Sequence, residues 1–145
     1  MNYSKNYIPN TLSKKDKVKQ KKQLDKSVSD YKKGKFTQRD KLKSFKSKSS
    51  GYVNQVKSIL KLPLNLNKIA DKLTRTDKRQ KELKKGLEEV LKKGKSAYFS
   101  SGSRPNQNPF SWGKSRVASV LVGGPSRKID KDIVKKYKIP NIKKK

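Results

Sequence analysis

The chain has 145 residues, with 41 Lys plus Arg against 11 Asp plus Glu, a formal net charge of +30, and neither cysteine nor histidine. Thiolate and imidazole are the usual ligands of structural zinc and the usual nucleophile and base at neutral pH, so zinc fingers, disulfide scaffolds, cysteine nucleophiles and Ser-His triads are excluded. Self-repulsion on this scale opposes compaction and a polyanion relieves it. On duplex DNA the excess matches roughly 50 Å, or about fifteen base pairs.

No apolar run approaches the roughly 18 residues of a membrane span, and the polar start MNYSKNYIPN lacks the apolar stretch of a signal peptide. The expectation is a soluble protein of the cell interior or the virion. Apolar residues are distributed unevenly. Residues 1–50 hold 8 of the 32 Leu, Ile, Val and Phe, too few to offset the ordering of a chain by burial within that segment. Charge divides differently: residues 1–61 carry +14, residues 62–94 carry +5 and residues 95–145 carry +11. The fold class this predicts is mainly α. Residues 1–50 form an irregular basic arm with one marginal helix, residues 51–139 a small helical domain, and residues 140–145 a lysine tail.

In chain order, Ser13 followed by Asp16 resembles a capping box, Leu24, Val28 and Tyr31 fall on one stripe, and Gly34 supplies a stop. A helix over 14–32 follows. TQRDKLKSFKSKSSG has only Leu42 and Phe45 as anchors and reads as a linker. Val53, Val56 and Leu60 predict a helix ended by Pro63, and NKIADKL a short one with Ile69 and Leu73 four apart. Residues 77–93 align Leu83, Leu87, Val90 and Leu91, with Gly86 a possible bend and Gly94 the expected C-cap. Ala97, Tyr98 and Phe99 are expected to be briefly extended. Asn108 and Pro109 predict an N-terminus for a helix that buries Val117, Val120 and Leu121 and closes at Gly123-Gly124-Pro125. Asp130 is expected to cap a last helix carrying Ile133 and Tyr137.

One stretch, SSGSRPNQNPFSWGKSR at 100–116, departs from its lysine-rich surroundings and contains the only tryptophan, Trp112. From residue 90 to 129 there is no acidic side chain, and three of the six arginines lie there. Arginine suits bidentate phosphate contacts, and a helix N-terminus facing a Gly-containing loop favours anions. Arg104, Lys114, Arg116, Arg127 and Lys128 are therefore the candidate anion site. Lys14, Lys15, Lys21, Lys22, Lys43 and Lys46 are candidates for a diffuse electrostatic grip. Structural roles compete: Arg104 and Arg116 bonding loop carbonyls or Asp130, and Trp112 and Phe110 packing in a core instead of stacking on an unpaired base. Asp130 and Asp132 lie among cations and are poor Mg²⁺ ligands. Neither metal, cofactor, small-molecule substrate nor catalysis is expected.

The run KKGLEEVLKKGKSAYFSSGSRPNQNPFSWGKSRVASVLVGGPSRKID, with YIPNTLSKKDK and KLKSFKSKSSGYV upstream, resembles a family of small lysine-rich proteins of unassigned function encoded by large DNA viruses of algae and protists. The resemblance implies a viral setting, hence the virion and, during assembly, the host cell interior. It brings no activity with it. Two functions are expected. The first is sequence-independent binding of nucleic acid, duplex DNA foremost, in genome packaging or condensation, because lysine neutralises phosphate without reading base edges. The alternative is a minor capsid or cement protein whose basic arm threads between capsid proteins with acidic surfaces.

Overall fold

The structure is a computed structural model that describes residues 3, 5–45 and 51–143. Among the described residues there are seven helices and no strand: α1 Lys14–Lys32, α2 Gly51–Leu60, α3 Leu66–Leu73, α4 Asp77–Ser100, α5 Pro109–Leu121, α6 Pro125–Ile129 and α7 Lys131–Tyr137. They divide into two compact units. The first comprises Met1–Lys48 with Lys95–Trp112, the second Ser49–Gly94 with Gly113–Lys145. This grouping differs from a division at residue 50, because residues from the basic arm find their partners in the segment beginning at Lys95.

In the first unit, α1 starts where the Ser13 side chain accepts from the Asp16 amide at 3.1 Å. Asp16 does not close the box reciprocally. Its carboxylate accepts instead from both the amide and the hydroxyl of Ser44, whose oxygen in turn accepts from the Ser13 amide. The helix ends in a Schellman motif: Gly34, at φ +82°, donates to the Tyr31 carbonyl and Lys35 donates to that of Asp30. One face buries Gln20, Leu24, Ser27 and Val28. Leu12, Leu42, Tyr98, Phe99 and Pro105 are buried as well, so the sparse apolar residues of the arm are spent where a later segment completes their burial.

The second unit holds a continuous core from Val56, Leu60, Ile69, Leu83, Leu87, Val90, Val117, Val120, Leu121 and Ile133. Asn65 caps α3, accepting from the Lys68 amide at 3.1 Å. Gly86 stands where a Cβ would lie 2.6 Å from the Tyr137 Cβ, so packing, not a bend, accounts for it. Gly94 is likewise not a C-cap. It is buried inside α4, and a Cβ there would lie 2.6 Å from the Gly113 Cα; two helices meet backbone to backbone. Because α4 runs through Gly94, residues 97–99 are helical and not extended. The glycine that ends this helix is Gly102, at φ +103°. After Gly123 at φ +76°, Pro125 opens α6, a short helix where only a stop was expected. At the C-terminal side the Ile142 amide donates to the Leu121 carbonyl at 2.8 Å, which ties residues expected as tail to α5.

No helix among the described residues is long and apolar enough to cross a membrane.

Candidate nucleic-acid interface

Four of the six arginines are engaged in holding the fold. Arg116 grips Asp130 as a fork, Nε donating to Oδ2 and Nη2 to Oδ1, each at 2.7 Å. The Asp130 side chain is 1% exposed and that of Arg116 19%. Asp130 therefore does not cap α7 through its side chain; each of its oxygens accepts from Arg116. Arg127 donates to the carbonyls of Val120 at 3.0 Å and Ile139 at 2.8 Å. Burial lowers its pKa from the ordinary arginine value. Arg79 pairs with Glu82 and reaches the carbonyls of Tyr137 and Lys138 at the end of α7. The forks of Arg116 and Arg127 satisfy carboxylate and carbonyl oxygens that burial would otherwise strand.

The fourth is Arg39, which the sequence alone did not single out. Its guanidinium lies 3.8 Å from the Tyr98 ring centroid. It donates to Ser27 Oγ at 2.6 Å, the Tyr98 carbonyl at 3.0 Å and Ser103 Oγ at 2.9 Å, while its amide donates to the Tyr98 hydroxyl at 2.9 Å. Burial lowers its pKa as well. Asn106, at φ +61°, completes the clamp by accepting from the Leu42 amide at 2.6 Å and donating to the carbonyls of Leu42 and Phe45.

The loop of residues 101–108 is thus built to hold residues 7–45. A Cβ on Gly102 would lie 2.9 Å from Leu24 Cδ2, and Ser103 is fully buried. The start of α5 is self-capped: Asn108 Oδ1 accepts from the Ser111 amide at 2.7 Å, and Ser111 Oγ accepts from the Asn108 amide at 3.1 Å. Trp112 is partly buried, edge-on to Tyr7 at 6.0 Å between centroids. Phe110 is 48% exposed, with Lys95 Nζ 5.2 Å from its ring centroid.

Of the five residues expected to form an ordered anion site, Arg104 lies in the first unit and the other four in the second. Arg104 and Lys128 are exposed and Lys114 is partly buried. Lys14, Lys15, Lys21, Lys22 and Lys43 are all exposed, and Lys21 lies 3.6 Å from Asp25. Lys46 is outside the described residues. Around the candidates for a diffuse grip, the structure presents a lysine face. Lys15, Lys19, Lys22 and Lys26 recur at i, i+4, i+7 and i+11 on α1, all exposed. That spacing puts them on one line, opposite Gln20, Leu24, Ser27 and Val28. Lys26 pairs with Asp30 at 3.2 Å, and Lys15 and Lys19 act electrostatically on the Asp16 carboxylate.

No protein-family model, curated protein or solved structure matches this chain.

Proposed function

We propose that this chain is a non-enzymatic structural protein of a large DNA virus that binds nucleic acid through phosphate contacts, with no sequence preference, in packaging or condensing the genome. One observation carries the reading: the exposed lysine line on α1. At 1.5 Å per residue it extends about 16 Å along the helix axis, the axial length of roughly five phosphates of one DNA strand. Lysine ammonium groups are point charges on flexible stems and follow a backbone without selecting bases. The fold supports this use, because Arg39 holds α1 through Ser27 on its buried face without drawing on the outer face. Exposed Arg104 and Lys128 add cationic contacts elsewhere on the surface.

The test is a salt titration of binding to several unrelated duplexes of equal length. With about eight phosphate contacts, affinity falls by roughly 10⁴ between 50 and 200 mM salt, and the duplexes differ little from one another. A slope near zero, or a strong preference for one sequence, contradicts the proposal.

A further inference from the structure

We infer that Phe36 is a stacking platform for an unpaired nucleobase, so that the first unit has a single-strand site at the C-terminal end of α1. This rests on the nucleic-acid reading above and extends it from phosphate to base. Phe36 is 70% exposed, the most exposed of the large hydrophobic side chains among the described residues. It is nonetheless fixed. Its ring lies 5.9 Å from that of Tyr31 and 5.2 Å from that of Phe99, centroid to centroid. Those two rings are themselves parallel within 2° at 6.3 Å.

The turn that carries Phe36 is pinned on both sides. Lys35 donates to the Asp30 carbonyl at 2.8 Å, Thr37 Oγ1 donates to the Asp30 carboxylate at 2.6 Å, and the Thr37 carbonyl accepts from Ser27 Oγ at 3.1 Å. A ring held against two others with most of its surface in water has no packing task on its open side. Lys32, Lys33 and Lys35, within four residues of it in sequence, are all exposed. The one carboxylate at the turn, Asp30, is engaged by Lys26 and Thr37. An aromatic face among ammonium groups is the combination that takes base and phosphate of one nucleotide together, tolerating any base because every base has a π face.

The experiment measures binding of the full chain to thymidine and uridine single strands of about fifteen nucleotides and to a duplex of the same length, at low salt. Phe36→Leu keeps apolar contact with Tyr31 and Phe99 but removes the ring, and Phe36→Trp restores one. Phe36→Leu is expected to weaken single-strand binding about tenfold, leave duplex binding within twofold, and be rescued by Phe36→Trp. Loss on both single strands places recognition at the base, while loss on only one of them contradicts a base-tolerant stacking site. If Phe36→Leu binds single strands as the parent does, or weakens duplex binding equally, the stacking site is wrong while the phosphate reading stands. If the parent binds neither duplex nor single strand, both readings fall. Loss of binding to anionic-lipid vesicles with single-strand binding intact assigns the ring to a membrane surface and overturns the inference.

Discussion

Removing the Arg116 guanidinium separates a structural role from a phosphate-binding one. In the folded protein it makes two charge-assisted hydrogen bonds of 2.7 Å to a carboxylate whose side chain is 1% exposed. Arg116→Ala strands that carboxylate in the second unit, and loss of one partner from a buried pair costs about 3–5 kcal/mol. This is a large share of the roughly 5–15 kcal/mol that holds a domain folded. At about 2–4 °C per kcal/mol for a chain of this size, Tm falls by roughly 6–20 °C. Arg116→Lys retains the charge without the fork and recovers part of the loss. Replacing both Arg116 and Asp130 by Leu is milder than either single change, since no charge is then left buried. Thermal and urea unfolding followed by circular dichroism read all three variants. If Arg116→Ala lies within about 1 kcal/mol of the parent, as an exposed pair would, the structural assignment is refuted. If it also loses DNA affinity while folded, the guanidinium is a phosphate ligand after all.

Arg39→Ala is expected to destabilise the first unit by about 3 kcal/mol, through three lost charge-assisted bonds and the ring contact; a urea midpoint followed by Trp112 emission measures it, since Trp112 packs on Tyr7 in the same unit. Gly94→Ala sets a methyl against the Gly113 backbone, which cannot yield as a side chain can, and costs the second unit about 1–3 kcal/mol, read by urea unfolding followed by circular dichroism. The carboxyls of Asp16, Asp25 and Asp30 sit below the usual range, chiefly through hydrogen bonds from Ser44, Tyr3 and Thr37 respectively; burial and that same Asp25 contact push the Tyr3 hydroxyl up to about 12. A carboxyl with a depressed folded pKa contributes stability that is present above its unfolded value near 3.9 and disappears as pH falls through the folded one. The first unit therefore loosens below about pH 4, visible as a change in Trp112 emission, and is level from there to neutrality.

The limits of α1 were legible because they are local chemistry: Ser13 supplies an oxygen to an amide three residues on, and Gly34 accepts a positive φ. The stripes of Leu83, Leu87 and Val90 and of Val117, Val120 and Leu121 were legible from their period. Gly94 was not, since a glycine after a helical stripe has the same signature whether it stops a helix or lets another backbone approach. Nor were the partners of the arm. Leu24, Leu42 and Arg39 look unsupported until Tyr98, Ser103 and Asn106 are set beside them, some sixty residues later. Sparse apolar content was a true observation, but polar clamps supply part of the ordering that burial alone would not. Of the three arginines expected at an anion site, Arg116 and Arg127 are engaged with the protein's own oxygens, Arg116 with the Asp130 carboxylate that the sequence offered as its structural alternative. The lysine line of α1 was available in the sequence by counting i, i+4, i+7 and i+11. Most other lysines are exposed too; what the structure adds is that this line lies opposite the buried face of α1.

The account depends most on that placement, and removing equal charge from two surfaces tests it. One variant carries Gln at Lys15, Lys19, Lys22 and Lys26 of α1, the other at the exposed Lys81, Lys85, Lys92 and Lys93 of α4. Duplex binding is measured against salt for both. The α1 variant is expected to lose about three to four in the magnitude of the log–log slope, near one per lysine, while the α4 variant keeps the parent's slope. Equal losses from the two would mean that net charge alone attracts the polyanion, and the lysine face of α1 would not be its site.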